Sequence, residues 1–284
     1  MNWILRSVIA MAWGFAATCM AQNSDSILIE RMLSQAPQDA GTLYFARQFV
    51  GRPYVAHTLE INNEEQLVVN TRQLDCTTLV ETVVALWLTH HDRQHSFAAY
   101  CRHLQQLRYR DGIIAGYTSR LHYFTDWIVC NSERGIVHEI QLSEAPFNGV
   151  QTIKVNYMST HPDAYKALAQ NPQLVSVIAQ QERQMNGLEF RFIPKAQVLN
   201  NRTLRNVIRD GDIIAITTSK PGLDIAHLGF AVWQTDGLHL LNASQLHKKV
   251  VIEPMTLRRY LYKHSTFTGI RIIRVRNNTG HGGA

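Results

Sequence analysis

The arrangement of apolar and polar positions changes character after residue 187. Before it, apolar residues fall mostly on one face of helical segments. Helices are predicted near 26–35 and 40–50, the second ending at Gly51. "GRPYVAHTLEI" then leaves through Gly51 and Pro53 into an extended segment, and "QLVVN", 66–70, reads as a short strand. Residues 75–89 form a helix in which Leu79, Val80, Val83, Val84, Leu86 and Trp87 give a broad buried face. A further helix is expected near 95–108. "RDGIIAGYTSRLHYFTDWIVC" reads as a loop and then a helix, 151–157 as a strand, and 161–186 as two helices divided at Pro172.

Beyond 187 short apolar runs are separated by turn residues. "LEFRFIP" is extended, 201–209 is a short helix, and Asp210-Gly211-Asp212 turns into the strand "IIAITTS". "HLGFAVWQ" and "LHLLNAS" flank the tight turn "TDG" and read as a hairpin. "KKVVIE" and "GIRIIRVR" complete an antiparallel set. The fold class is α+β, with helices early and a twisted antiparallel sheet late. There is no internal repeat and no linker, so residues 22–276 are read as one domain, and the polar tail 277–284 is expected to be disordered.

Charge narrows the partners only a little. The formal net charge over 284 residues is +6, but no Lys/Arg block stands out, so nucleic acid is not the leading partner. A basic surface also suits an anionic polymer. The N-terminus, "MNWILRSVIAMAWGFAATCMAQNSDS", changes the picture more. It has one positive charge, Arg6, and an apolar run over 7–17 too short to span a bilayer. Residues 1–21 are read as a secretory signal, cleaved after Ala21, with export to the periplasm. Lipidation at Cys19 is the alternative, which the approach Ala16-Ala17-Thr18 does not favour. No membrane span is expected in the mature chain, and a monomer is expected.

Cleavage would leave Cys76, Cys101 and Cys130, an odd number for an exported protein. Cys101 and Cys130 read as small apolar residues in helices. Cys76 differs, because it opens the helix in "QLDCTTLVETVVALWLTH". There the helix dipole and unpaired amides favour the thiolate, so a pKa below about 8.5 is expected. The same amides suit an oxyanion. His227, opening a strand, is a candidate base, and Asn242, 15 residues on in the paired strand, is a candidate to orient its ring. On these residues alone a structural cysteine and a catalytic Cys–His pair both stand.

"LDCTTLVE", "GDIIAI", "HLGFAVW" and "LHLLNAS" follow one another in the order used by the NlpC/P60 superfamily of papain-like cell-wall hydrolases, which the chain resembles. In that superfamily an Asp-Cys pair opens the catalytic helix, and a His-Gly strand and a polar-Ala-Ser strand supply the other groups. The resemblance implies a papain-like fold, with the nucleophile helix packed on the sheet. It makes Cys76 the nucleophile, His227 the base and Asn242 the orienting residue. "GRPYV" resembles the Gly-x-Pro-Tyr element, which puts Tyr54 near the thiol. Cys76-Thr77-Thr78 replaces the common Cys-Ser-Gly, Asn242 replaces the usual histidine, and residues 90–190 are a large, mostly helical insertion.

Within that insertion "GYTSRLHYFTDWI" resembles a branch first catalogued as a domain of unknown function and associated with N-acetylmuramoyl-L-alanine amidase activity. The expected substrate is peptidoglycan or its muropeptide fragments. Ser119, Arg120, His122 and Tyr123 are candidate substrate contacts, the arginine for carboxylates and the tyrosine for a sugar face. Trp127, one turn on from Tyr123, is read as core. The alternatives are an endopeptidase cutting between D-glutamate and the diamino acid of the stem peptide, and a non-catalytic wall-binding protein of the same fold. "HHDRQH", with His90, His91 and His95, reads as a polar turn between helices, so no metal or other cofactor is expected. There is no phosphate-cradling glycine loop and no nucleic-acid module.

Overall fold

The computed structural model describes residues 24–276, so the expected signal segment and the tail lie outside the described residues. The first half is mostly helical: α1 (24–35), α2 (Thr42–Arg47), α3 (Cys76–His91), α4 (Phe97–Arg108) and α5 (Phe124–Glu133). Two strands, β1 (Val137–Ile140) and β2 (Gly149–Thr152), precede α6 (Tyr157–Thr160), α7 (Lys166–Gln170) and α8 (Gln173–Met185). Then come β3 (Glu189–Pro194), α9 (Arg202–Val207), β4 (Ile213–Thr218), β5 (Ile225–Trp233), β6 (Leu238–Ser244), β7 (Lys249–Ile252), α10 (Leu257–Lys263) and β8 (Phe267–Val275). The eight strands form one sheet in the order β2-β3-β8-β4-β5-β6-β7, every pair antiparallel, and β1 lies beside β8. The segment read as an insertion is therefore not helical throughout, because it supplies two strands to the sheet.

α3 is the central helix. Asp75 caps it by accepting from the Thr78 N–H at 2.8 Å, while its own N–H donates to Thr78 Oγ1 at 2.9 Å. This reciprocal pair satisfies two of the donors that a helix start leaves open. From Leu79 to Ala85 every residue is buried, as expected of a helix enclosed on all sides. One of them is Glu81, which accepts from the buried Arg108 Nε at 2.7 Å.

Three apolar cores follow. The first joins α1–α5 to one face of the sheet through Leu228, Phe230, Val232, Leu241 and Ala243. The second lies on the other face, where Leu204 and Leu261 meet Ile214, Ile216, Ala231 and Leu240. The third belongs to the insertion and gathers Tyr117, Tyr123, Ile153, Met158, Leu168 and Ile178. Trp127 is fully buried in the first core.

Two local expectations change. "QLVVN" is extended but joins no ladder. Its carbonyls are instead taken by side chains, Val68 O by Arg108 Nη1 at 2.7 Å and Gln66 O by the Tyr109 hydroxyl at 3.0 Å. The strand expected over 151–157 is shifted to Gly149–Thr152 and gives way to α6. Among the described residues no helix is long and apolar enough to cross a membrane.

Candidate active site

β5 and β6 set the first pair of groups. Phe230 lies opposite Leu241, and carrying that register back puts Gly229 opposite Asn242 and His227 diagonal to it. Gly229 has no room for a side chain, since a Cβ there would meet the Leu241 carbonyl oxygen at 2.6 Å and Leu240 Cγ at 2.8 Å. His227 Nε2 reaches Asn242 Oδ1 at 2.9 Å. On its other side β5 carries a bulge. Ile216 pairs with His227 but Thr217 pairs with Ile225, so Ala226 is the extra residue. Bulges re-aim the side chains beside them.

Cys76 is the first residue of α3, and the sulfur comes within reach of the Leu228 backbone N–H, one residue past His227. Cys76 and His227 line one cleft of about 170 Å³. The expected low thiol pKa is not what the surroundings produce. Burial, then the Asp75 carboxylate, push the Cys76 thiol up to about 12. The Leu228 N–H and the Thr77 amide and hydroxyl act the other way, as the helix-start argument anticipated, but removal from water outweighs them. His227 is shifted below the ordinary histidine value, chiefly by burial and against the pull of Asn242. Thiol and imidazole are thus both held neutral. Cys101 and Cys130 are free, half-buried thiols in α4 and α5, each pushed up to about 11 by burial.

The opposite wall of the cleft comes from the insertion: His122, Tyr123, Phe124, Met158 and Tyr165, with Asp224 beside them. His122 lines the cleft but is tied down, its Nε2 2.9 Å from Tyr117 O, and burial lowers its pKa to about 3. The Tyr123 hydroxyl donates to the buried Glu182 at 2.7 Å. Tyr54 is close enough to feel Cys76, since burial raises its pKa first and the Cys76 and Asp75 charges add to that. Arg120 is turned elsewhere, with its Nη2 2.9 Å from Glu60 and 3.3 Å from Glu65 and its guanidinium over the Tyr117 ring. Ser119 Oγ closes its own turn, accepting from Ala115 N–H and donating to Gly116 O.

Two residues around the site were not anticipated. Glu253, fully buried at the end of β7, accepts from Asn242 Nδ2 at 3.0 Å. Its sequence signal is a lone acid closing the apolar run "VVI". Tyr260 of α10 packs its ring 6.3 Å from that of His227 and gave no signal in the sequence. A larger concavity of about 790 Å³ lies at the far ends of β4 and β8, lined by Arg209, Asp212 and Arg274, and contains no thiol. Among the described residues no group of three or more His, Cys, Asp or Glu side chains is placed to hold a metal ion.

Solved structures share this architecture. An N-acetylmuramoyl-L-alanine amidase from Bacteroides uniformis is 41% identical, with a TM-score of 0.77 over 83% of this chain and 97% of that one. A provisionally named xylanase from Bacteroides fragilis is 39% identical, with a TM-score of 0.77 over 82% of this chain and 100% of that one. A Legionella pneumophila protein of the DUF1460 type, 22% identical with a TM-score of 0.69 over 90% and 96% of the two chains, shares the fold. Comparison with curated proteins finds no match. The model of the AmiA-like, N-acetylmuramoyl-L-alanine amidase-like family matches residues 44–270, and with four-fifths of its length inside that match the chain belongs to this family.

Proposed function

We propose that the chain is a cysteine amidase that hydrolyses the amide between N-acetylmuramic acid and L-alanine in peptidoglycan or its fragments, and that it is a papain-like member of the NlpC/P60 superfamily exported to the periplasm. The observation that carries the chemistry is the His227–Asn242 hydrogen bond at the mouth of the cleft holding Cys76. His227 Nδ1 takes the thiol proton as the sulfur attacks the lactyl carbonyl. The amides opening α3 face the oxyanion that develops. The imidazolium then protonates the departing amine of L-alanine, and the neutral ring activates the water that cleaves the thioester.

The surfaces around His227 suggest which way the substrate lies. The small cleft contains Cys76 and must take the acyl side, the sugar acid. A second groove of about 540 Å³ meets it at His227 and is lined by Lys220, Lys248, Tyr260 and His264. The departing amine lies there, where the lysines suit the carboxylates of a stem peptide. A glycosidase reading, raised by the name of the Bacteroides fragilis neighbour, has less support. It needs two facing carboxyl groups, whereas among the described residues Asp224 is the sole carboxyl lining the cleft and already accepts from the Thr125 N–H at 2.6 Å.

Mass analysis of products tests the reading, using protein lacking residues 1–21, defined muropeptides and a Cys76→Ala control. A free peptide beginning with L-alanine, plus a free sugar acid, is expected from the wild type alone. A sugar that keeps L-alanyl-D-glutamate would instead establish the endopeptidase.

A further inference from the structure

We infer that Glu253 is a positioning residue: it decides which end of the Asn242 amide faces His227, and through that amide which imidazole nitrogen is free to accept a proton. The inference rests on the proposed roles of Cys76 and His227.

The side-chain amide of asparagine has two ends of nearly equal size, one an acceptor and the other a donor. Asn242 is fully buried, so each end must find a matching partner. On one side stand only acceptors. Glu253 Oε1 lies 3.0 Å from Nδ2, and the Leu240 carbonyl lies 3.4 Å from the same atom. An ionised carboxylate accepts and never donates. Glu253 cannot turn away, because His247 Nε2 meets its other oxygen at 3.1 Å. Its backbone is also fixed, the N–H to Leu240 O at 2.8 Å and the carbonyl to His239 Nδ1 at 2.7 Å. The amide nitrogen therefore points to Glu253, and Oδ1 points to His227.

The tautomer follows. Facing an acceptor, His227 Nε2 must carry the hydrogen, which leaves a lone pair on Nδ1 for the thiol proton. With the amide reversed, Nδ2 would donate to a bare Nε2. The hydrogen would then sit on Nδ1, and a neutral ring could take nothing from Cys76. Glu253 touches neither the imidazole nor the thiol, yet it excludes that arrangement.

Nitrogen-15 NMR of His227, together with steady-state hydrolysis of a muropeptide, tests this. The wild type should show the Nε2–H form. Glu253→Gln can turn its own NH2 toward residue 242, so the Nδ1–H form should appear and kcat should fall by about tenfold or more with KM little changed. Adding Asn242→Asp to Glu253→Gln places a carboxylate where both neighbours are donors. It should restore the Nε2–H form and recover most of the lost kcat. A wholly Nε2–H ring and wild-type kcat in Glu253→Gln would overturn the inference, as would an Nδ1–H ring in the double variant. If Glu253→Gln does not fold, the double variant decides alone. Unchanged hydrolysis in His227→Ala would remove the base itself and overturn the underlying reading, a result distinct from either of the others.

Discussion

The backbone N–H of Leu228 lies near enough to the sulfur of Cys76 to favour its thiolate, so the strand that carries His227 also bears on the first residue of α3. The contact favours a thiolate but does not produce one, because burial keeps the thiol protonated up to about pH 12. In a Cys101→Ala/Cys130→Ala background, iodoacetamide should label Cys76 more slowly at pH 7 than it labels free cysteine. The rate should climb about tenfold per pH unit above neutrality. Rapid labelling at pH 7 would mean a resting thiolate–imidazolium pair instead.

The same neutrality fixes the acid side of the pH profile. His227 must be unprotonated to act as the base, and burial moves its pKa below the ordinary 6.5. The half-point of kcat/KM should therefore lie below pH 6.5. Stability has the same sign. His227 and His122 resist protonation when folded and accept it when unfolded, so their contribution is complete above 6.5. It declines as pH falls, for His122 down to about 3. Thermal unfolding at each pH separates the two effects, and an activity half-point above 6.5 would contradict the assignment of the base.

Arg120 separates a folding role from a binding one. Its side chain is 7% exposed, beside Glu60 and a Glu65 that is also 7% exposed. Arg120→Ala would strand those carboxylates at a cost of about 3 kcal/mol or more. Denaturant unfolding should show that loss while KM for a muropeptide stays near wild type. A large rise in KM at unchanged stability would restore the substrate contact expected from the Ser-Arg-x-His-Tyr phrase.

Much of this was legible in the chain, for reasons that can be named. α3 could be read because its apolar positions recur without interruption behind an Asp–Thr cap. The β5–β6 hairpin could be read because "TDG" leaves room for only one pairing. β1 and α6 escaped, since each is four residues long and neither carries an apolar run like the Val-Val-Ile of β7. Arg120 read as a substrate group because Glu60 and Glu65, sixty and fifty-five positions earlier, reach it only through the tertiary fold. The thiol shift was misjudged for a similar reason. A helix start is visible in sequence, while the water excluded by packing α3 on β5 is not.

Lys248 addresses the direction in which substrate lies. If the stem peptide occupies the groove beyond His227, Lys248→Glu should raise KM more for a tripeptide-bearing substrate than for one carrying L-alanine alone. The gap should narrow at high salt, where exposed charges are screened. Equal KM changes for the two substrates would place the peptide elsewhere.

The insertion's own apolar core has a consequence for how the molecule opens. Met158, Leu168 and Ile178 pack in a cluster distinct from the cores on the two faces of the sheet, touched by the sheet through Phe190 of β3, so much of the wall facing Cys76 can open as a unit of its own. Its amides should exchange with deuterium through partial opening, while those of β4, paired on both sides, wait for global unfolding. A cleft built this way can be reshaped by selection on one wall without renegotiating the stability of the strands that hold the histidine.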